Sequence, residues 1–155
     1  VPVFFVSTER PQKKLEHYCA YQERSHKEVV KKLKEINIIP IAIDQIVSDL
    51  IQNNYLNENR FAKCFTRGKF RIKSWGKKRI VFELKHHQVS DYNIKNALQE
   101  ISETDYIETL ITLSKKIWKS SKGNILSKRK TKFISALKYR GWEADLIYDQ
   151  LNKMQ

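Results

Sequence analysis

The side chains best suited to chemistry in this chain are few and scattered. His86 and His87 are adjacent, and neighbouring helical residues point about 100° apart, so the pair offers no shared metal-binding direction and reads as solvated. Asp105 and Glu108 flank Tyr106 and Ile107 near an expected helix start, where the positive end of the helix dipole favours carboxylates in a solvated face. Cys19 and Cys64 form no CxxC pair and sit in apolar helical patterns, which predicts buried reduced thiols. The four glycines, Gly68, Gly76, Gly123 and Gly141, are isolated, and no phosphate-binding P-loop, GxSxG or HExxH motif occurs. The expectation is a binding protein, not an enzyme, with no catalytic residue, no metal and no cofactor.

Charge carries more information. Thirty Lys+Arg against seventeen Asp+Glu give a formal net charge of +13, a field that favours a polyanionic partner. The excess is uneven. From Arg60 to His87 ten Lys/Arg are opposed only by Glu83, and from Lys115 to Arg140 ten are opposed by no acid, while the first third is nearly neutral. Interleaved Phe70, Trp75, Trp118 and Tyr139 would add stacking on bases to phosphate contact; Phe61 and Phe65 are expected in the core, and Trp75 fits either role. The nucleic-acid-binding candidates are Lys69, Arg71, Lys73, Lys77, Lys78, Arg79, Lys128, Arg129, Lys130 and Lys132. Their expected contact is the backbone of single- or double-stranded DNA, without sequence readout.

The elements that position these residues repeat. Ser25, Ser74 and Ser127 each open a basic stretch that reaches a leucine (Leu33, Leu84, Leu137) and then an Ile-x-x-x-Leu pair (Ile46/Leu50, Ile94/Leu98, Ile147/Leu151). In the second and third copies Ser to Leu and Leu to Ile are both ten residues; the first has a shorter front and a longer turn containing Pro40. Val29 or Val30 with Leu33, Ile80/Leu84 and Phe133/Leu137 mark a middle helix, polar turns follow at Asn37, at Val89 to Asp91 and at Arg140 to Trp142, and the Ile/Leu pairs mark a third helix. Amphipathic stretches at Leu15 to Glu23, Arg60 to Arg71 and Tyr106 to Trp118 supply a helix ahead of each.

The expected fold is all-α: three tandem three-helix, helix-turn-helix-like repeats at 12–54, 55–102 and 103–155, in an elongated curved array. Each core is small, so neighbours should pack partly on one another, with slight play at Asn53-Asn54 and Ser102 to Thr104. The serines read as N-caps, with Ser25 and Glu28 as a capping box, and Asp44, Asp91 and Asp145 fall near third-helix starts. The third helices are neutral to acidic, which disfavours their use as major-groove readers. The apolar run Val1–Val6 is interrupted by Pro2, no stretch has membrane-spanning length, and no basic-then-apolar leader opens the chain, so a soluble protein is expected, with a basic monomer as the simpler oligomeric state.

The stretch from Asn54 through YLNENRFA to Lys63 resembles the sequence joining the first two units in the RecX family, a Gly-Tyr-(Ile/Leu)-Asp/Asn-Asp/Glu-x-x-(Phe/Tyr)-Ala pattern. Ser25 followed by HKEVVKKL resembles the family's Ser-x-x-Glu-Leu-x-x-x-Leu stretch, and Trp75 followed by GKKRIVFEL its Gly-x-x-x-Ile-x-x-Glu-Leu stretch. The likeness covers about Glu16 to Leu151; Asn54 replaces the usual Gly and Val29 a commoner Leu. It implies a cytoplasmic regulator that binds the RecA recombinase and its DNA filament, suppresses ATP hydrolysis, strand exchange and the coprotease response, and so modulates DNA repair, recombination and the SOS response. The alternatives that the residues leave open are a helix-turn-helix transcriptional regulator and a non-specific nucleic-acid-binding protein.

Overall fold

The computed structural model describes residues 8–155, and the run Val1–Val6 lies outside them. Among the described residues nine helices form and no strand: α1 (Glu9–Tyr21), α2 (His26–Glu35), α3 (Pro40–Gln52), α4 (Glu58–Lys73), α5 (Lys77–His86), α6 (Asp91–Leu98), α7 (Glu103–Ser120), α8 (Leu126–Tyr139) and α9 (Ala144–Met154). They pack in consecutive threes, and every extensive helix-to-helix contact lies within α1–α3, α4–α6 or α7–α9. The first group touches the second and the second touches the third. The fold is therefore an all-α row of three-helix units.

The middle helices all end in one way. Asn37, Gln88 and Gly141 take left-handed φ values of 61°, 60° and 86°. The following N–H then reaches back to the aligned leucine: Ile38 to Leu33 O at 3.1 Å, Val89 to Leu84 O at 3.1 Å and Trp142 to Leu137 O at 3.2 Å. This Schellman closure satisfies carbonyls that a helix end leaves unpaired and drives the next apolar residue inward. All three leucines are fully buried.

Helix starts differ more from expectation. Ser25 forms the capping box: its Oγ accepts from Glu28 N at 3.1 Å, while Ser25 N donates to Glu28 Oε1 at 3.1 Å. Ser74 is not an N-cap; it closes α4 in the left-handed region at φ 54°, and Gly76 precedes α5. The cap of α5 comes from the third unit, since Gly76 N donates to Arg140 O at 2.7 Å, Lys77 N to Tyr106 Oη at 2.9 Å and Lys78 N to Gly141 O at 3.0 Å. Ser127 lies inside α8, which starts at Leu126 in an exposed stretch where water can serve the first N–H groups. Pro40 is the first residue of α3, where a missing N–H is harmless, so Asp44 falls beyond the first turn; Asp91 and Asp145 lie within theirs. By the same logic Pro11 sits in the first turn of α1, which starts at Glu9 and ends at Tyr21, earlier than the expected Leu15 to Glu23.

Two cores result. Leu15, Cys19, Val29, Leu33, Ile43, Ile46, Leu50 and Leu56 close the first unit. A single larger core runs through the second and third units, from Phe61, Ile80 and Leu84 to Phe133, Leu137 and Trp142. Trp142 is its joint: it is 1% exposed, stacks on Tyr106 with ring centroids 4.4 Å apart, and donates through Nε1 to Ser74 O at 3.1 Å. Cys19 is buried, and desolvation pushes its thiol up to about 11. Cys64 departs from expectation. It is free and exposed, because the buried stripe of α4 runs through Phe61, Ala62, Thr66 and Phe70, and position 64 faces the other way.

Candidate nucleic-acid interface

The basic residues begin with an unfavourable local choice. Lys77, Lys78 and Arg79 open α5, and Lys128, Arg129 and Lys130 lie in the first turns of α8; neither helix has an acid in its first turn. Cations there oppose the helix dipole, which favours anions at an N-terminus. The first unit follows the ordinary rule, with Glu28 in the first turn of α2. None of the ten candidates has an ion-pair partner among the described residues. Two units thus hold uncompensated positive charge where a bound anion would relieve it.

Exposure sorts the ten. Arg71, Lys73, Lys78, Lys128 and Lys132 are exposed; Lys69, Lys77, Arg79, Arg129 and Lys130 are half-buried. Lys69 lies over the rings of Phe65 (5.4 Å) and Trp75 (5.1 Å), and Lys77 over Tyr106 (4.6 Å). Arg129 stacks on Trp118 at 3.9 Å and donates through Nη2 to Trp118 O at 2.8 Å, tying α8 to the end of α7. Arg79 lies between Trp75 (4.2 Å) and Tyr139 (4.5 Å) and donates through Nη1 to Tyr139 O at 3.1 Å. Arg79 and Arg129 therefore hold elements together as well as carrying charge.

Five of the ten candidates fall in three separate places, and Arg71, Lys73, Lys77, Arg129 and Lys130 line none of them. Lys78 and Arg79 line a shallow groove with Phe82, Lys138 and Tyr139, between α5 and the end of α8. Lys128 and Lys132 line a depression further back along α8. Lys69 points to a hollow at the joint of the first two units, beside Cys64, Phe65 and His87. The aromatics expected to stack on bases mostly do not face out: Phe70 is buried, and Trp75 and Trp118 are partly buried against the shared core. Tyr139, at 73% exposure, is the exception. Lys138 and Phe82 were absent from the candidates, yet Phe82 had a signal, since it sits two residues from both Ile80 and Leu84 and so opposite their buried face.

His87 also departs from expectation. Only His86 is exposed. His87 is half-buried at the joint of the first two units, with Nδ1 3.3 Å from Ser25 Oγ and 3.6 Å from Glu28 Oε1, and its ring meets Phe61 and Phe65 edge-on at 5.3 and 5.4 Å. Burial lowers its pKa, against an opposing pull from Glu28. Arg60 completes this joint, pairing with Glu23 and donating to Asn54 O at 3.0 Å. Among the described residues no group of three or more His, Cys, Asp or Glu converges as a metal site would require.

The family description "RecX, second three-helix domain" matches residues 57–98, which are α4 to α6 and the residue before them. The regulatory protein RecX of Lactobacillus johnsonii is 30% identical over 138 residues, covering 87% of this chain and 51% of the relative. The chain is similar to RecX regulatory proteins over most of its length. The RecX of Bacillus cereus strain AH820 is 28% identical over 138 residues, covering 89% of this chain and 51% of that protein. The chain thus spans about half the length of the curated RecX proteins it matches. The crystal structure of RecX from Lactobacillus salivarius superposes with a TM-score of 0.79 at 23% identity, covering 94% of each chain. That likeness establishes the shared RecX fold, an all-α helical repeat. No described helix is long and apolar enough to cross a membrane.

Proposed function

We propose that this chain is a cytoplasmic regulator that binds RecA and its DNA filament and inhibits the recombinase, ATPase and coprotease activities, and that it acts by binding, without catalysis. In this reading residues 12–54, 55–102 and 103–155 are the three units, the protein works as a monomer, and the second and third units lie along the DNA backbone. The observation that carries it is the unpaired positive charge at the starts of α5 and α8, in a chain whose relatives are named regulatory proteins. Sequence-specific readout is disfavoured: α3 has two Asp and no base, while α6 and α9 carry Asp91, Asp145 and Asp149 against Lys95 and Lys153.

Titrating the chain into RecA on single-stranded DNA is expected to lower ATP turnover at equimolar or lower ratios, with the loss persisting when a DNA trap removes free binding protein. An unchanged rate at saturating protein overturns the reading. Reversing Lys78→Glu, Lys128→Glu and Lys132→Glu together should weaken DNA binding and flatten its logarithmic salt dependence by about 2 to 3, near one unit for each phosphate no longer neutralised. Unchanged circular dichroism would assign the weaker binding to the interface and not to folding.

A further inference from the structure

The groove between α5 and α8 contains more than charge. Arg79 lies between Trp75 and Tyr139, 4.2 and 4.5 Å from the two ring centroids, and its bond to Tyr139 O ties the guanidinium to the residue it stacks on. One face of Tyr139 is therefore backed by a cation that is itself backed by an indole. The residue nonetheless stays 73% exposed. Phe82, 68% exposed, lines the same groove, as do Lys78 and Lys138. Two large aromatic side chains left open to water, flanked by two lysines with no ion-pair partner among the described residues, oppose ordinary burial. A protein–protein hot spot would also use aromatics, but paired lysines are unusual at the centre of such a contact.

We infer that the open face of Tyr139, beside Phe82, is a stacking platform for an unpaired nucleobase, with the adjoining phosphates on Lys78 and Lys138. The inference rests on the nucleic-acid-binding reading above and deepens it, because it gives the interface a preference for single strands. A base in a duplex has both faces covered by its neighbours, whereas an unpaired base can swing onto an aromatic ring, whatever its identity. The rest of α8 extends the track. Lys128, Lys132, Ser135 and Tyr139 follow at steps of four, three and four, all exposed on one face of the helix, over about 16 Å of axis. The small Ser135 leaves room for a backbone between Lys132 and Tyr139. Glu83, the acid that lines the groove, disfavours a further phosphate there and leaves a base edge as the better neighbour.

The test is fluorescence anisotropy with three labelled probes: an oligothymidylate, a duplex of equal length, and an equal-length abasic strand. The wild-type chain is expected to bind the oligothymidylate roughly five- to hundredfold more tightly than the abasic strand, the range of one stacked base. Phe82→Ala with Tyr139→Ala should remove that advantage while leaving duplex affinity and salt dependence in place. Equal wild-type affinity for the oligothymidylate and abasic strands overturns the platform, and so does an equal loss on all three probes in a variant with unchanged circular dichroism. In both cases lysine-dependent binding to the backbone would still stand. Binding of wild-type protein to none of the probes would remove the platform and the nucleic-acid reading together.

Discussion

At the scale of single residues, His87 shows what a sequence hides. The adjacent pair reads as solvated because spacing along one helix says nothing about what another unit lays over it. In the fold, Ser25 and Glu28 of the first unit and Phe61 and Phe65 of the second surround the ring. Desolvation lowers its pKa, with Glu28 and Glu83 pulling upward and His86 and Lys27 adding to the lowering. The sign follows by linkage. With the folded pKa below the unfolded value of about 6.5, the unfolded chain binds more protons between the two, so stability falls as pH drops through that window and changes no further from this group below it. Thermal melts of the wild type and His87→Gln between pH 7.5 and 5 check this. The wild type should lose more melting temperature on acidification than the variant, and parallel losses would rule out His87 as the cause. By contrast, the capping box at Ser25 was legible at once, because both partners lie within four residues of chain.

At the scale of elements, the sequence was most readable where a local rule recurs. The three aligned leucines were visible as a repeat, and each proves to be the carbonyl that closes a Schellman turn. The residue in the left-handed position varies, as Asn37, Gln88 and Gly141, so no glycine pattern announced the motif. Ser74 misled for the opposite reason: the groups that cap α5 are Tyr106 Oη and the carbonyls of Arg140 and Gly141, far along the chain. These turns make opposite predictions for paired substitutions. Gln88→Gly relieves a left-handed side chain at some entropic cost, and is expected to be stabilising by about 0.5–1 kcal/mol. Gly141→Ala should destabilise by at least about 2 kcal/mol, because it adds the left-handed penalty and drives a Cβ into Arg79 N and Arg79 Cβ. Urea denaturation of the two variants reads both, and a Gly141→Ala variant as stable as wild type would refute the close packing of α5 on the α8–α9 turn.

At the scale of the whole molecule, the repeats are alike as folds and unlike as joints. Composition revealed that the first unit is nearly neutral and the other two basic, but it gave no sign that the basic pair shares one core while the first closes its own. That difference depends on Trp142, which reads as part of a polar turn and instead is buried against Tyr106 of α7 and the Ser74 carbonyl that ends α4. The first joint is made of polar groups: Arg60 with Glu23 and Asn54, and His87 with Ser25 and Glu28. Polar contacts that water can replace contribute about 1 kcal/mol each, whereas emptying a buried tryptophan site costs about 3–5 kcal/mol. Local opening should follow the same division. Hydrogen exchange on Arg60→Ala is expected to speed exchange in α1–α3 while α4–α9 keep their protection. Trp142→Ala should instead deprotect α4–α6 and α7–α9 together and leave α1–α3 the least changed. If Trp142→Ala released only α7–α9, the continuous core of the second and third units would not be acting as one cooperative body.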